Sequence, residues 1–156
     1  MPGESHAVSP IRVLVVEDNP VDATLTRYAL SEVKQWDVNL NVVEDGEQAL
    51  FYLDRKGKFS QAPRPDLVIL DLNLPKRNGK EVLQFIRADP NLRAVPVIIL
   101  SSPPRDVIRE EVKSADAQPN CYFTRPLGLD EFLALGEKMH DCYLRARRFG
   151  VFGAAS

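Results

Sequence analysis

The sequence predicts a doubly wound α/β fold, a five-stranded parallel sheet with helices on both faces. Three observations predict it. Strand-like and helix-like segments alternate five times along the chain. Several strand segments are almost continuously apolar, the pattern of strands covered on both faces. The strand segments end on carboxylates, hydroxyls or charged residues, and in open parallel sheets the chemistry gathers beyond those carboxyl ends.

The first strand is Ile11-Arg12-Val13-Leu14-Val15-Val16, and it stops at Glu17-Asp18-Asn19-Pro20. Asn19 followed by Pro20 suits an N-cap and first helical residue. The helix beyond is expected to place Val21, Leu25, Tyr28, Ala29 and Val33 on one face. Val38 to Val43 alternates and reads as a second strand, nearer an edge. A second helix opens at Asp45 or Gly46 and carries Ala49, Leu50 and Leu53. Residues 55–65, with charges, prolines and Gly57, read as a loop. Leu67-Val68-Ile69-Leu70 is the third strand, ending on Asp71, and Asn78-Gly79 is a turn signal. The third helix shows Val82, Leu83 and Ile86 on one face and closes at Asp89-Pro90. Pro96 to Leu100 is the fourth strand, ending on Ser101-Ser102. A weaker fourth helix is expected after Pro103-Pro104, with Val107, Ile108 and Val112. Cys121 to Thr124 is a short fifth strand, and the fifth helix runs from Leu129 to about Leu144.

Composition bounds the function. The 156 residues are 44% hydrophobic and 27% charged, which suits one domain with one core. A formal net charge of −2 gives no global field toward nucleic acid or an anionic membrane, and neither is expected as a partner. No apolar run has membrane-spanning length, and Met1 to Pro10 lacks the basic start and apolar stretch of a secretion signal. Cys121 and Cys142 form no spaced framework, so they read as reduced thiols in a cytoplasmic setting. His6 and His140 read as surface residues, and Trp36 as packing at the end of the first helix. Residues 1–9 are expected as a flexible N-terminus, 10–145 as the folded domain and 146–156 as a short tail.

The strand ends bring Glu17, Asp18, Asp71, Ser101, Ser102, Thr124 and Arg125 toward one edge. Taken singly each has an ordinary reading. Acids near a helix start are favourable, Asp71 suits a turn, serines cap helices, and an isolated arginine is usually solvated. Taken together, the carboxylates repel one another unless something neutralises them. Mg²⁺, a hard cation, does so with oxygen ligands and retained water. Asp18 and Asp71 are the expected direct ligands, with Glu17 acting through water and the backbone carbonyl of Asn73 adding another. A carboxylate is also a nucleophile for phosphoryl groups, and that transfer needs positioning and charge neutralisation above all. Ser101 is expected to donate to a phosphoryl oxygen, Ser102 to leave access, and Arg125 to supply a cation.

Four motifs in order carry a family resemblance: Val15-Val16-Glu17-Asp18-Asn19, Leu70-Asp71-Leu72-Asn73-Leu74-Pro75, Leu100-Ser101-Ser102, and Tyr122-Phe123-Thr124-Arg125-Pro126. The chain resembles the receiver domains of two-component response regulators over roughly residues 10–143. The resemblance implies a flavodoxin-like strand order, 2-1-3-4-5, with five helices. It implies Asp71 as the phosphoacceptor, a sensor histidine kinase as donor, and Ser101 and Tyr122 as the switch pair. The segments Leu53 to Lys58, Pro63 to Asp66 and Asn120-Cys121-Tyr122 are similar to single-domain regulators that partner phytochrome-type kinases. Arg125 stands where the family usually has lysine, and arginine is a planar fork rather than a point charge. The Arg125-Pro126 bond matches a position that is often cis in the family. The apolar breadth of the last helix predicts a homodimer through the fourth helix, fifth strand and fifth helix. A pseudo-receiver that no longer depends on phosphorylation is the alternative. A phosphatase working through an aspartyl nucleophile is disfavoured, because Asn73 stands where those enzymes carry a second aspartate.

Overall fold

A computed structural model describes residues 10–72, 74, 76, 78–101 and 117–149. Five strands, β1 (Ile11–Val16), β2 (Val38–Val43), β3 (Leu67–Asp71), β4 (Val97–Ser101) and β5 (Cys121–Thr124), form one parallel sheet in the order β2-β1-β3-β4-β5. The helices among the described residues are α1 (Pro20–Ser31), α2 (Gly46–Asp54), α3 (Gly79–Ala88) and α4 (Leu129–Phe149), with a 3-10 turn at Gly57–Phe59. The helix expected after Pro104 lies outside the described residues.

The sheet separates two apolar layers by the parity of its strands. Leu14, Val16, Val68, Leu70, Val97 and Ile99 face one side, where Ala49 and Leu53 of α2 and Val82, Leu83 and Ile86 of α3 cover them. Val13, Val15, Leu67, Ile69, Ile98 and Leu100 face the other, under Leu30 of α1 and Leu135, Met139 and Tyr143 of α4. Alternate residues of one strand thus feed opposite cores, which is why Val13–Val16, Leu67–Leu70 and Val97–Leu100 include no polar residue.

Caps start the helices where the sequence signals stand. Asn19 accepts from Val21 and Asp22, with Pro20 as the first helical residue. Asp45 caps α2. Asn78 and Glu81 form a reciprocal capping box, so Asn78-Gly79 is a helix start rather than a free turn.

Four readings are corrected. The buried face of α1 is Ala23, Thr26, Ala29 and Leu30; of the expected face, Ala29 and, just beyond the helix, Val33 are buried, while Val21 and Tyr28 are exposed. The small residues are selected because α4 crosses closely. A Cβ added to Gly136 would run into the carbonyl oxygen of Ala29. His140 is buried at this crossing and packs on the Trp36 ring at 4.6 Å between centroids. Trp36 also donates its indole N–H to the Leu30 carbonyl at the end of α1. The last helix continues to Phe149. Finally, Cys121 and Cys142 are joined as a disulfide between β5 and α4, with Cα atoms 6.5 Å apart. Both sit in the apolar layer under α4, a proximity that their spacing in sequence does not encode.

An arginine ties down the approach to β5. Arg87, in the last turn of α3, donates to the carbonyls of Arg93, Val95 and Gln118 and to the Asn120 side chain. Asn120 in turn accepts from the Val97 amide. Burial pushes the Arg87 pKa down to about 10.

Candidate functional site

Register assembles the site. Val16 pairs with Leu70, Asp71 with Leu100, and Ser101 with Thr124. The residues ending β1, β3, β4 and β5 therefore reach the same edge. Glu17 is held there by its amide, which donates to the Val43 carbonyl. Its carboxylate accepts from the Asn19 amide at 3.2 Å.

Carboxylate oxygens of Glu17, Asp18 and Asp71 lie within 4.8 Å of one another, with Glu17 and Asp71 buried and Asp18 exposed. Crowding and burial leave a mark on Glu17, whose pKa is pushed up to about 7. Desolvation is the main cause. Arg125 opposes it, while Asp71 and Asp22 add to it. An oxygen-only cluster with one carboxylate reluctant to ionise suits a hard divalent cation.

Arg125 is not a solvated surface residue. Its side chain is 15% exposed and its guanidinium enters the cluster. One terminal nitrogen, Nη2, donates to Asp71 Oδ2 at 2.6 Å and pairs with Glu17 Oε1 at 2.8 Å. The other, Nη1, donates to Asp22 Oδ2 at 2.6 Å. Burial works against the charge, but Asp71, then Glu17 and Asp22, outweigh it and hold the pKa above the ordinary arginine range.

Asp22 was not among the residues expected from sequence. An acid in the first turn of a helix is already accounted for by the helix dipole, and nothing local links it to an arginine 103 residues away. Gly79 is the second residue missed. A Cβ there would sit 2.5 Å from the Asp71 carbonyl oxygen and 2.7 Å from Leu72 Cα. The bare backbone lets α3 start directly beneath the end of β3, where its amide donates to the Leu72 carbonyl. Lys76 is the third, in the left-handed region at φ 66° and 3.6 Å from Asp45 Oδ2.

Of the remaining expected residues, Tyr122 is half-buried on β5 and packs against the core layer under α2 and α3. Pro126 shares a concavity with Tyr122, Arg125, Glu131 and Lys138. Ser101 ends β4, and its side chain lies outside the described residues, as do Asn73 and Ser102.

The family model for the response regulator receiver domain matches residues 13–135. The chain belongs to the receiver-domain family of response regulators. It is 32% identical over 135 residues to the response regulator Rcp1 of Synechocystis sp., covering 86% of this chain and 90% of that protein. The phosphorylated cyanobacterial phytochrome response regulator RcpA superposes with a TM-score of 0.76 at 36% identity, covering 87% of this chain and 95% of that one. The Mn²⁺-bound form of response regulator Rcp1 superposes with a TM-score of 0.71 at 33% identity, covering 83% and 91%. This receiver is therefore a two-component signalling protein homologous to phytochrome response regulators, and sensor histidine kinases phosphorylate such domains. The pseudo-receiver alternative is not favoured. Among the described residues, no helix is long and apolar enough to cross a membrane.

Proposed function

We propose that this receiver accepts a phosphoryl group on Asp71 from a phytochrome-type sensor histidine kinase, in a Mg²⁺-dependent step. The observation that carries the reading is the convergence of Glu17, Asp18, Asp71 and Arg125 at the carboxyl edge of the sheet. Asp18 and Asp71 would hold Mg²⁺ directly and Glu17 through water, with the Asn73 carbonyl adding a ligand, and the bound ion would supply charge neutralisation for the transferring phosphoryl group. Asp71 is the nucleophile, Arg125 supplies a fixed cation, Ser101 donates to a phosphoryl oxygen, and Ser102 leaves access. The chain catalyses only its own phosphorylation and dephosphorylation.

Ser101 and Tyr122 carry the switch to the surface of β5 and α4. The signal is a local charge event acting on a two-state element. That surface includes Leu127, Leu129 and Leu144, all exposed apolar residues. It serves as a homodimer contact.

Phosphotransfer profiling against purified histidine kinases tests this, with oligomeric state measured by light scattering before and after. Transfer from a phytochrome-type kinase in preference to others, with a dimer in solution, is the expected result. Transfer from none of them, or a monomer under all conditions, contradicts the corresponding part.

A further inference from the structure

We propose that Asp22 is a positioning residue for phosphoryl transfer to Asp71, acting through Arg125. The inference rests on Asp71 as phosphoacceptor and deepens that reading. It starts from the shape of the cation. A lysine ammonium is one point and follows the strongest nearby charge. A guanidinium is a rigid fork that satisfies two directions at once. Here the two directions are used: Nη1 goes to Asp22 and Nη2 to Asp71 and Glu17. Among the described residues, Arg125 Nε is buried and finds no hydrogen-bond partner. The orientation of the fork is therefore set by its two ends.

Asp22 is suited to anchor the outer end. Its backbone is fixed in the first turn of α1, where its amide donates to the Asn19 cap. Its carboxylate is 20% exposed, and it stands outside the cluster of Glu17, Asp18 and Asp71. It can hold Arg125 without competing for the cation site. Without that anchor, both guanidinium ends are free to collapse onto Glu17 and Asp71, where they would tie up the attacking carboxylate. With it, Nη2 alone faces Asp71.

The step concerned is simple with acetyl phosphate as donor. An Asp71 carboxylate oxygen attacks phosphorus, the new oxygen–phosphorus bond forms, and the bond from phosphorus to the acetyl oxygen breaks. Acetate leaves with the electron pair, and no proton is needed. Nη2 then faces a phosphoryl group in place of a free carboxylate, while Nη1 keeps its hold on Asp22.

A double-mutant cycle tests the inference, with phosphorylation rates followed by intact-protein mass spectrometry and Mg²⁺ affinity measured in parallel. Asp22→Asn should slow phosphorylation of the Arg125 protein roughly tenfold, the effect of weakening one charge-assisted hydrogen bond. In the Arg125→Lys background the same change should cost under about twofold, because a single ammonium cannot use Asp22 and Asp71 together. Asp22→Glu should restore part of the rate. Thermal unfolding of each variant confirms folding. Equal slowing in both backgrounds, matched by an equal change in Mg²⁺ affinity, would reduce Asp22 to general electrostatics and overturn the proposal. A wild-type rate in Asp22→Asn overturns it while leaving Asp71 as phosphoacceptor intact. No phosphorylation of the wild type overturns both.

Discussion

Glu17 shows how far a single residue's chemistry is set by its neighbours. Its folded pKa of about 7 stands above the ordinary 4.5, mainly through desolvation. Between those values the folded chain holds a proton that the unfolded chain has released, so stability falls as pH rises through that window. Thermal unfolding in chelator should therefore show a falling Tm from about pH 5 to pH 7 in the wild type and a flatter profile in Glu17→Gln. Identical slopes would contradict this account of the carboxylate. Arg125 is the complementary case. It is the cation that lets Glu17, Asp22 and Asp71 coexist, and it is largely buried. Removing one partner of such a network leaves uncompensated charge, so Arg125→Ala should cost about 3 kcal/mol in metal-free buffer. Added Mg²⁺ should return part of that loss. Denaturant unfolding with and without Mg²⁺ measures both, and a metal-free variant as stable as the wild type would argue against the network. From sequence, Glu17, Asp18 and Asp71 are legible because they end or follow apolar strands. The burial of Arg125 is not, because it depends on which carboxylates the fold brings to it.

At the scale of elements, the β3–α3 junction positions Asp71, the proposed phosphoacceptor. Gly79 allows α3 to begin in contact with the Asp71 backbone, and the capping box of Asn78 and Glu81 fixes that start. Gly79→Ala forces backbone apart rather than a flexible side chain. It should destabilise the fold by about 2 kcal/mol, as overpacking typically does. It should also slow Asp71 phosphorylation under conditions where the variant is fully folded. Chemical denaturation and intact-mass kinetics check the two effects, and an unchanged phosphorylation rate would separate α3 packing from the site. Strands are the most legible elements here, since apolar runs such as Leu67 to Leu70 have one reading in an alternating chain. Helix faces are less so. Val21 and Tyr28 fit the helical period but lie outward. Of the expected face, Ala29 does lie inward, at a close crossing with Gly136 that is a tertiary fact.

In the whole molecule, the sheet does two things with one set of strands. Its parity feeds two cores, and its carboxyl edge gathers charge from chain positions far apart. The alternation of elements and the acidic cluster are legible in the sequence because both rest on where apolar runs stop, whereas the strand order is what the family resemblance implies. The Cys121–Cys142 pairing and the Asp22–Arg125 contact are not legible there, since each joins segments through packing alone. The central claim is that this edge exists to phosphorylate Asp71. Intact-protein mass spectrometry after incubation with acetyl phosphate tests it most directly, comparing the wild type with and without Mg²⁺ and with Asp71→Asn. The account predicts one added phosphoryl group in the wild type, dependent on Mg²⁺ and absent from Asp71→Asn. Phosphorylation that persists in Asp71→Asn, or none in the wild type at any Mg²⁺ concentration, would contradict it.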